Sequence, residues 1–249
     1  MVPNQPAAVS PSQKLVPGLI GMSAHTDSVY WHAMHRWAMD QIPAGRLLNS
    51  LRAMICSVDF FLLVDNIRAS RWIEAQHQIT EAAKAVEAGG AHFIVITSNT
   101  GHTLSQEAAA LHIPILDIAK VTCAATLASR CKTPGLLATS RCTESGMYQR
   151  WAGDYELEIV SPPVHIRDSV NELIFDELIS GIVSDAGVRV IISAIEWFAE
   201  HGADSVILGC TDLTLLSEVV RKSSPIPIFD STRLHAESAA RVAIEGRMP

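Results

Sequence analysis

The chain has 249 residues, 48% apolar and 18% charged, with a net charge of −7 at neutral pH. That apolar content excludes a disordered chain, and an acidic balance without any basic block argues against a nucleic-acid groove or an anionic membrane surface. No apolar run approaches the roughly 20 residues of a membrane span, and five scattered cysteines without a CxxC pair read as reduced thiols of a cytoplasmic protein.

In chain order, residues 1–15, MVPNQPAAVSPSQKL, are rich in Pro, Ser and Gln and read as a flexible tail, not a signal peptide. Strand signals follow near residues 16–21 and 51–57. In SRWIEAQHQITEAAKAVEAGG, residues 70–90, Trp72, Ile73, Ile79, Ala83 and Val86 recur with a rough 3.6 period and Gly89 and Gly90 end it, predicting a helix. Strands come again near 93–97 and 113–116. Beyond them the scheme repeats, with strands near 135–139, 157–160, 205–209 and 226–229. The helices of this part fall near 144–152, 168–184, 188–201 and 232–245. Strands alternating with helices imply parallel sheets covered on both faces. The predicted organisation is a first α/β half over 16–117 and a second over 118–230, with a C-terminal helix in 231–249 packing back on the first half.

The chain also matches itself. PGLIGMSAHTD begins at Pro17 and PGLLATSRCTE at Pro134, 117 residues later. GAHFIVITSNT begins at Gly90 and GADSVILGCTD at Gly202, 112 later. IPILD begins at Ile113 and IPIFD at Ile226, 113 later. Three matches in one order, at nearly one spacing, indicate a duplicated unit. The fold class is therefore α/β, with two pseudo-symmetric, Rossmann-like parallel-sheet halves. The carboxyl ends of matching strands would meet in a cleft between them, where open α/β sheets place their ligands.

Eight residues after Gly202 comes Cys210; eight after Gly90 comes Ser98. A pseudo-twofold axis sets them on opposite walls. Two opposed acid/base groups suit inversion of a carbon acid, one removing the α-proton and the other protonating the far face. A thiol suits the task because its ordinary pKa, about 8.5, lies near working pH, and backbone N–H groups and polar neighbours can lower it further. A serine hydroxyl is a far weaker acid and needs a neighbouring base. A lone cysteine at a strand end is more often a small buried apolar residue; the polar turn after Cys210 and the repeat favour chemistry. Ser98 has a plain turn role as its alternative. Cys56, Cys123 and Cys131 read as packing residues, while Cys142 lies in a stretch that could border the cleft. The ten histidines include His32 and His35 but no third ligand at zinc-type spacing, so no metal is expected.

These residues resemble the cofactor-independent aspartate/glutamate racemases over nearly the whole chain beyond the tail. GMSAHTDSVYW, residues 21–31, is similar to the family's opening Gly-Met-Ser motif. SNTGH, with Ser98, Asn99, Thr100 and His102, is similar to its first active-site motif, and GCTD, with Cys210 and Thr211, to its second. Thr139 in GLLAT and the run DSTRLHAE from Asp230 to Glu237 match two further signatures.

The resemblance implies a homodimeric amino-acid racemase that needs neither pyridoxal nor metal. Cys210 and Ser98 would be its catalytic pair. Met22, Ser23, Asn99, Thr100, Thr139 and Thr211 would hold the α-carboxylate and amine, and His102, Asp212 and Cys142 would be accessory. Two departures stand out. Ser98 replaces the usual Cys or Thr. Asp168 or Ser169, with Arg167 adjacent, falls where the family places a cation for the distal carboxylate; Arg52, Arg68 and Arg71 are substitutes from the other half. A single-thiol decarboxylase, cis-trans isomerase or lyase acting on a small carboxylate is the alternative activity, and a non-catalytic carboxylate binder a third.

Overall fold

The computed structural model describes residues 14–41, 51–105 and 111–249. The predicted tail, apart from its last two residues, lies outside them. Among the described residues six strands form two parallel three-stranded sheets, one per repeat. In the first, β1 (Pro17–Gly21) lies between β2 (Met54–Ser57) and β3 (Phe93–Ile96). In the second, β5 (Ser205–Leu208) lies between β4 (Pro134–Leu137) and β6 (Ile228–Asp230).

The strands expected near 113–116 and 157–160 shrink to single parallel bridges, Ile94 with Ile115 and Gly135 with Val160. Both are edge positions. Pro114 has no N–H to extend the first ladder, and Asp117 already caps a helix through Ala119 N and Lys120 N. Counting the bridged segments, both halves share one order: second, first, third, fourth.

The strands are buried on both faces because helices cover both. Along β3, Phe93 and Val95 join Leu19 and Tyr30 in one cluster, while Ile94 and Ile96 join Ile20, Ile79 and Val86 in another. The first cluster lies under α1 (Ala24–Asp40), the second under α2 (Phe60–Arg68) and α3 (Trp72–Ala88). Along β5, Val206 and Leu208 pack with Ile191 and Phe198, and Ile207 packs with Tyr148 and Cys123 on the other side. Each fully buried Leu, Ile or Phe is worth roughly 1.5–3 kcal/mol.

The Gly-Ala pair of the repeat has a backbone cause. Gly90 and Gly202 adopt φ of +95° and +87°, the left-handed turn that ends the helix preceding the strand.

Short helices follow the strand ends: α4 (Asn99–Thr103) after β3, and α6 (Ser140–Glu144) after β4. Between these lies α5 (Ile118–Ala128). The rest of the second half is built from α7 (Met147–Asp154), α8 (Val164–Asp176), α9 (Asp185–Glu200) and α10 (Ser217–Ser223). The last helix, α11 (Ser231–Glu245), crosses back. Its Ala236, Ala239, Ala240 and Ala243 enter the cluster of Leu19 and Phe93. Within that cluster Tyr30 OH lies 2.8 Å from His235 Nδ1, and His235 Nε2 donates to Leu116 O at 2.9 Å. Among the described residues no helix is long and apolar enough to cross a membrane.

Candidate active site

Four strand ends point the same way, and each delivers a helix-capping residue: Ser23 after β1, Ser98 after β3, Thr139 after β4 and Cys210 after β5. An N-terminal cap ordinarily accepts a backbone N–H of the first turn. Three of the four do so. Ser23 Oγ accepts from Thr26 N at 3.3 Å, Ser98 Oγ from Gly101 N at 3.0 Å and Thr139 Oγ1 from Cys142 N at 3.2 Å. Cys210 makes no such bond. Sulfur is a weak acceptor, so the N–H groups of Asp212 and Leu213 that face it hold the side chain only weakly.

The Cys210 thiol instead donates to Asp212 Oδ2 at 3.8 Å, a hydrogen bond at sulfur's longer distance. The other carboxylate oxygen of Asp212 accepts from Thr26 Oγ1 at 3.2 Å and lies 2.9 Å from His25 Nε2. His25 and Thr26 sit in the first turn of α1, so a strand end of one half and a helix start of the other close on a single carboxylate. Ser23 Oγ is 3.1 Å from His25 Nε2 and completes the chain. His25 and Thr26 were not singled out from the sequence. Their partner is 187 residues away for His25, and no local pattern connects them.

Burial, and next the charge of Asp212, push the Cys210 thiol well above its ordinary pKa. The expectation of a lowered value is therefore corrected. The turn does bring backbone N–H groups, but desolvation and a like charge outweigh them. At neutral pH Cys210 rests as a thiol, ready to give a proton.

The space enclosed by these strand ends is about 40 Å³, and its lining includes Ser98, Asn99, Thr100, Thr139, Cys210, Thr211 and Asp212. Thr100 Oγ1 and Thr139 Oγ1 lie 3.0 Å apart and join the two halves across it. Asn99 is buried, donating to Ser231 Oγ at 3.1 Å and accepting from Tyr148 OH at 2.7 Å. Met22 and Ser23 are not in the lining. Met22 N donates to Asp27 Oδ1 at 3.0 Å, and burial, the largest influence on Asp27, raises its pKa.

Two accessory candidates point elsewhere. His102 Nδ1 bonds the carbonyl oxygen of Ser98 at 2.7 Å, not its hydroxyl, and its Nε2 faces Leu116 O at 3.3 Å; it fastens the turn and cannot serve as the base Ser98 would need. Cys142 is fully buried, with its pKa pushed up to about 12 by burial, and packs with Leu136 and Tyr148.

The other wall is apolar. Phe60, Leu63, Val64 and Ile67 of α2 face Ile174 and Phe175 of α8 and Ile179 of the 3₁₀ turn Leu178–Ser180. A shallower groove of about 280 Å³ shares Phe60, Val64 and Ile179 and leads outward past Arg68. Larger depressions of about 650 Å³ beside α1 and about 620 Å³ between α8 and α9 contain none of the strand-end residues. Among the described residues no three His, Cys, Asp or Glu side chains gather as a metal site.

The model of the Asp/Glu/hydantoin racemase family matches residues 20–239. A glutamate racemase from Cupriavidus pinatubonensis is 24% identical over 211 residues, covering 80% of this chain and 75% of its own. A crystal structure assigned as an Asp/Glu racemase from Yersinia pestis superposes with a TM-score of 0.80 at 31% identity, covering 92% of this chain and 99% of that one. An aspartate racemase homologue from Pyrococcus horikoshii superposes at 0.73 with 22% identity, covering 93% and 99%; at that identity the likeness is one of fold.

Proposed function

The chain belongs to the Asp/Glu/hydantoin racemase family, and from that premise we propose that it moves the α-proton of a small amino-acid carboxylate at a single thiol, Cys210, without a cofactor. One observation carries the reading: among four equivalent strand ends, Cys210 alone has no capping duty, and its sulfur faces a carboxylate instead.

In this reading the substrate's α-carboxylate meets the neutral hydroxyls of Ser98, Thr100 and Thr139. Charge that spreads onto it as the α-proton leaves is stabilised by donors already in place. Asp212 takes the thiol proton, the thiolate takes the α-proton, and protonation reverses the path. His25 and Thr26 hold Asp212 throughout. The proton carrier thus comes from the chain itself. Ser98 Oγ has a free O–H to donate, but its lone pair serves Gly101 N, and His102 Nδ1 is bonded to the Ser98 carbonyl oxygen instead of the hydroxyl. The Cys210 face therefore exchanges fast and the Ser98 face slowly.

The same asymmetry favours a second reading, a decarboxylase or lyase that needs one protonation on one face. Proton NMR in deuterated water separates the two. Deuterium at the α-carbon of recovered amino acid supports the isomerase; a new product from a substituted malonate supports the lyase. Loss of the signal in Cys210→Ala with an unchanged far-UV spectrum is the expected result, and full activity in that variant would overturn both. The proposal includes a homodimer in the cytoplasm, which sedimentation and cell fractionation would test.

A further inference from the structure

We infer that the side chain of the substrate is apolar, an inference that rests on the α-proton reading and extends it to substrate class. The polar groups of the cleft gather at the strand ends. Beyond them, Phe60, Val64 and Ile67 on α2 oppose Ile174, Phe175 and Ile179, and the groove continues outward between the same surfaces. A substrate whose α-carbon sits at Cys210 and whose carboxylate meets the threonines sends its side chain along this wall.

Among the described residues that line the inner cleft there is no Lys, Arg or His, and the sole charge is Asp212, which is negative. Inside the cleft a second substrate carboxylate would lose its water with no cation among the described lining residues to meet it, beside a like charge, an arrangement that opposes ionisation and binding together; the first cation along the groove is Arg68, at its outer mouth.

Of the arginines offered by the sequence, none lines the inner cleft, Arg52 lines neither space, and only Arg68 reaches the outer groove. Arg71 pairs with Asp65 and donates to Asn66 Oδ1 at 2.8 Å. Arg68 stands at the outer mouth, half exposed, donating to Phe175 O at 2.9 Å and to Asp176 at 3.4 Å, with its guanidinium 5.5 Å from the centre of the Phe175 ring. Arg141 lies over Trp72, and Arg167 lines neither space. Neither Asp168 nor Ser169 lines the inner cleft.

The test is α-deuterium exchange from each enantiomer of leucine, phenylalanine, aspartate and glutamate. One methylene in an apolar pocket is worth roughly 10- to 200-fold in selectivity, so leucine or phenylalanine should exceed either acid by at least about tenfold. Faster exchange of aspartate or glutamate would overturn the inference and leave the α-proton reading standing. If none of the four exchanges, the α-proton reading fails and the inference is decided by binding: thermal stabilisation that saturates with leucine or phenylalanine but not with glutamate supports it, and any other pattern overturns it. Val64→Lys, at a half-buried position on the mouth, supplies a cation to the wall. It should lower leucine exchange at least about tenfold while glutamate exchange rises. An unchanged leucine rate in a folded variant would show that the side chain does not lie there.

Discussion

The turns at Ser98 and Cys210 are two copies of one design. Each follows a fully buried four-residue strand. Their backbones nearly coincide, at φ −157° and ψ 131° for Ser98 and φ −134° and ψ 136° for Cys210. Each opens a short helix. They differ in what the side chain does. Ser98 completes its helix by accepting Gly101 N, whereas Cys210 leaves its turn uncapped and faces Asp212. Duplication thus supplied two equivalent sites, and one atom, oxygen against sulfur, divides them into a fastening and a proton carrier.

The largest effect expected from breaking this division is Cys210→Ala, which should lower α-proton exchange by at least about 10²–10⁴-fold, the range of a positioned acid/base. Ser98→Cys should sharpen the comparison by making the walls alike. We expect exchange of the slow enantiomer to rise at least about tenfold, because a thiol titrates much nearer neutral pH than a hydroxyl does. The lost cap should lower stability by about 1 kcal/mol in the same variant, read by urea denaturation.

Asp212→Asn removes the charge that helps hold the Cys210 proton. The thiol pKa should fall, so the pH at which iodoacetamide reaches Cys210 should fall, while exchange declines for want of the proton acceptor. In the native protein the sign is opposite. The raised pKa keeps Cys210 protonated through neutrality, so half-buried Cys56 should be alkylated before it. A step that needs the thiol should be flat through neutral pH and fall only in alkali; one that needs the thiolate should rise with pH. The smallest effect is that of Ser98→Ala, a loss of about 1 kcal/mol of stability with a modest fall in the fast enantiomer's rate, since one of the three hydroxyls that meet the α-carboxylate is gone.

Much of this was legible in the sequence because the relevant signals are local. FIVI and the VIL of SVIL are continuous apolar runs, as strands buried on both faces must be, and the Gly-Ala pairs mark the left-handed turns before them. The repeat then aligned Ser98 with Cys210 by counting alone. What could not be read depends on distance in the chain or on competition at edges. His25 meets Asp212 only when the two halves close. The apolar wall of α2 comes from DFFLLVDNIR, whose Phe61 is 84% exposed while Leu63 is buried; the run does not announce which side faces the cleft. The expected strands at 113–116 and 157–160 each reduce to one bridge at a sheet edge, and at the first of them Pro114 has no N–H to give the ladder. The thiol pKa was misjudged because sequence shows neighbours but not desolvation.

The return of α11 to the first half also orders events during synthesis. The second sheet is covered by helices that precede residue 231 in the chain. The first sheet emerges earlier, yet the face bearing Leu19, Phe93 and Val95 lacks the alanine ridge of α11 until Ser231–Glu245 have been made. At 5–20 residues per second, the roughly 130 residues from the start of α5 to the end of α11 take roughly 6–26 s to translate. The half that the ribosome finishes first is thus the half whose apolar face is covered last.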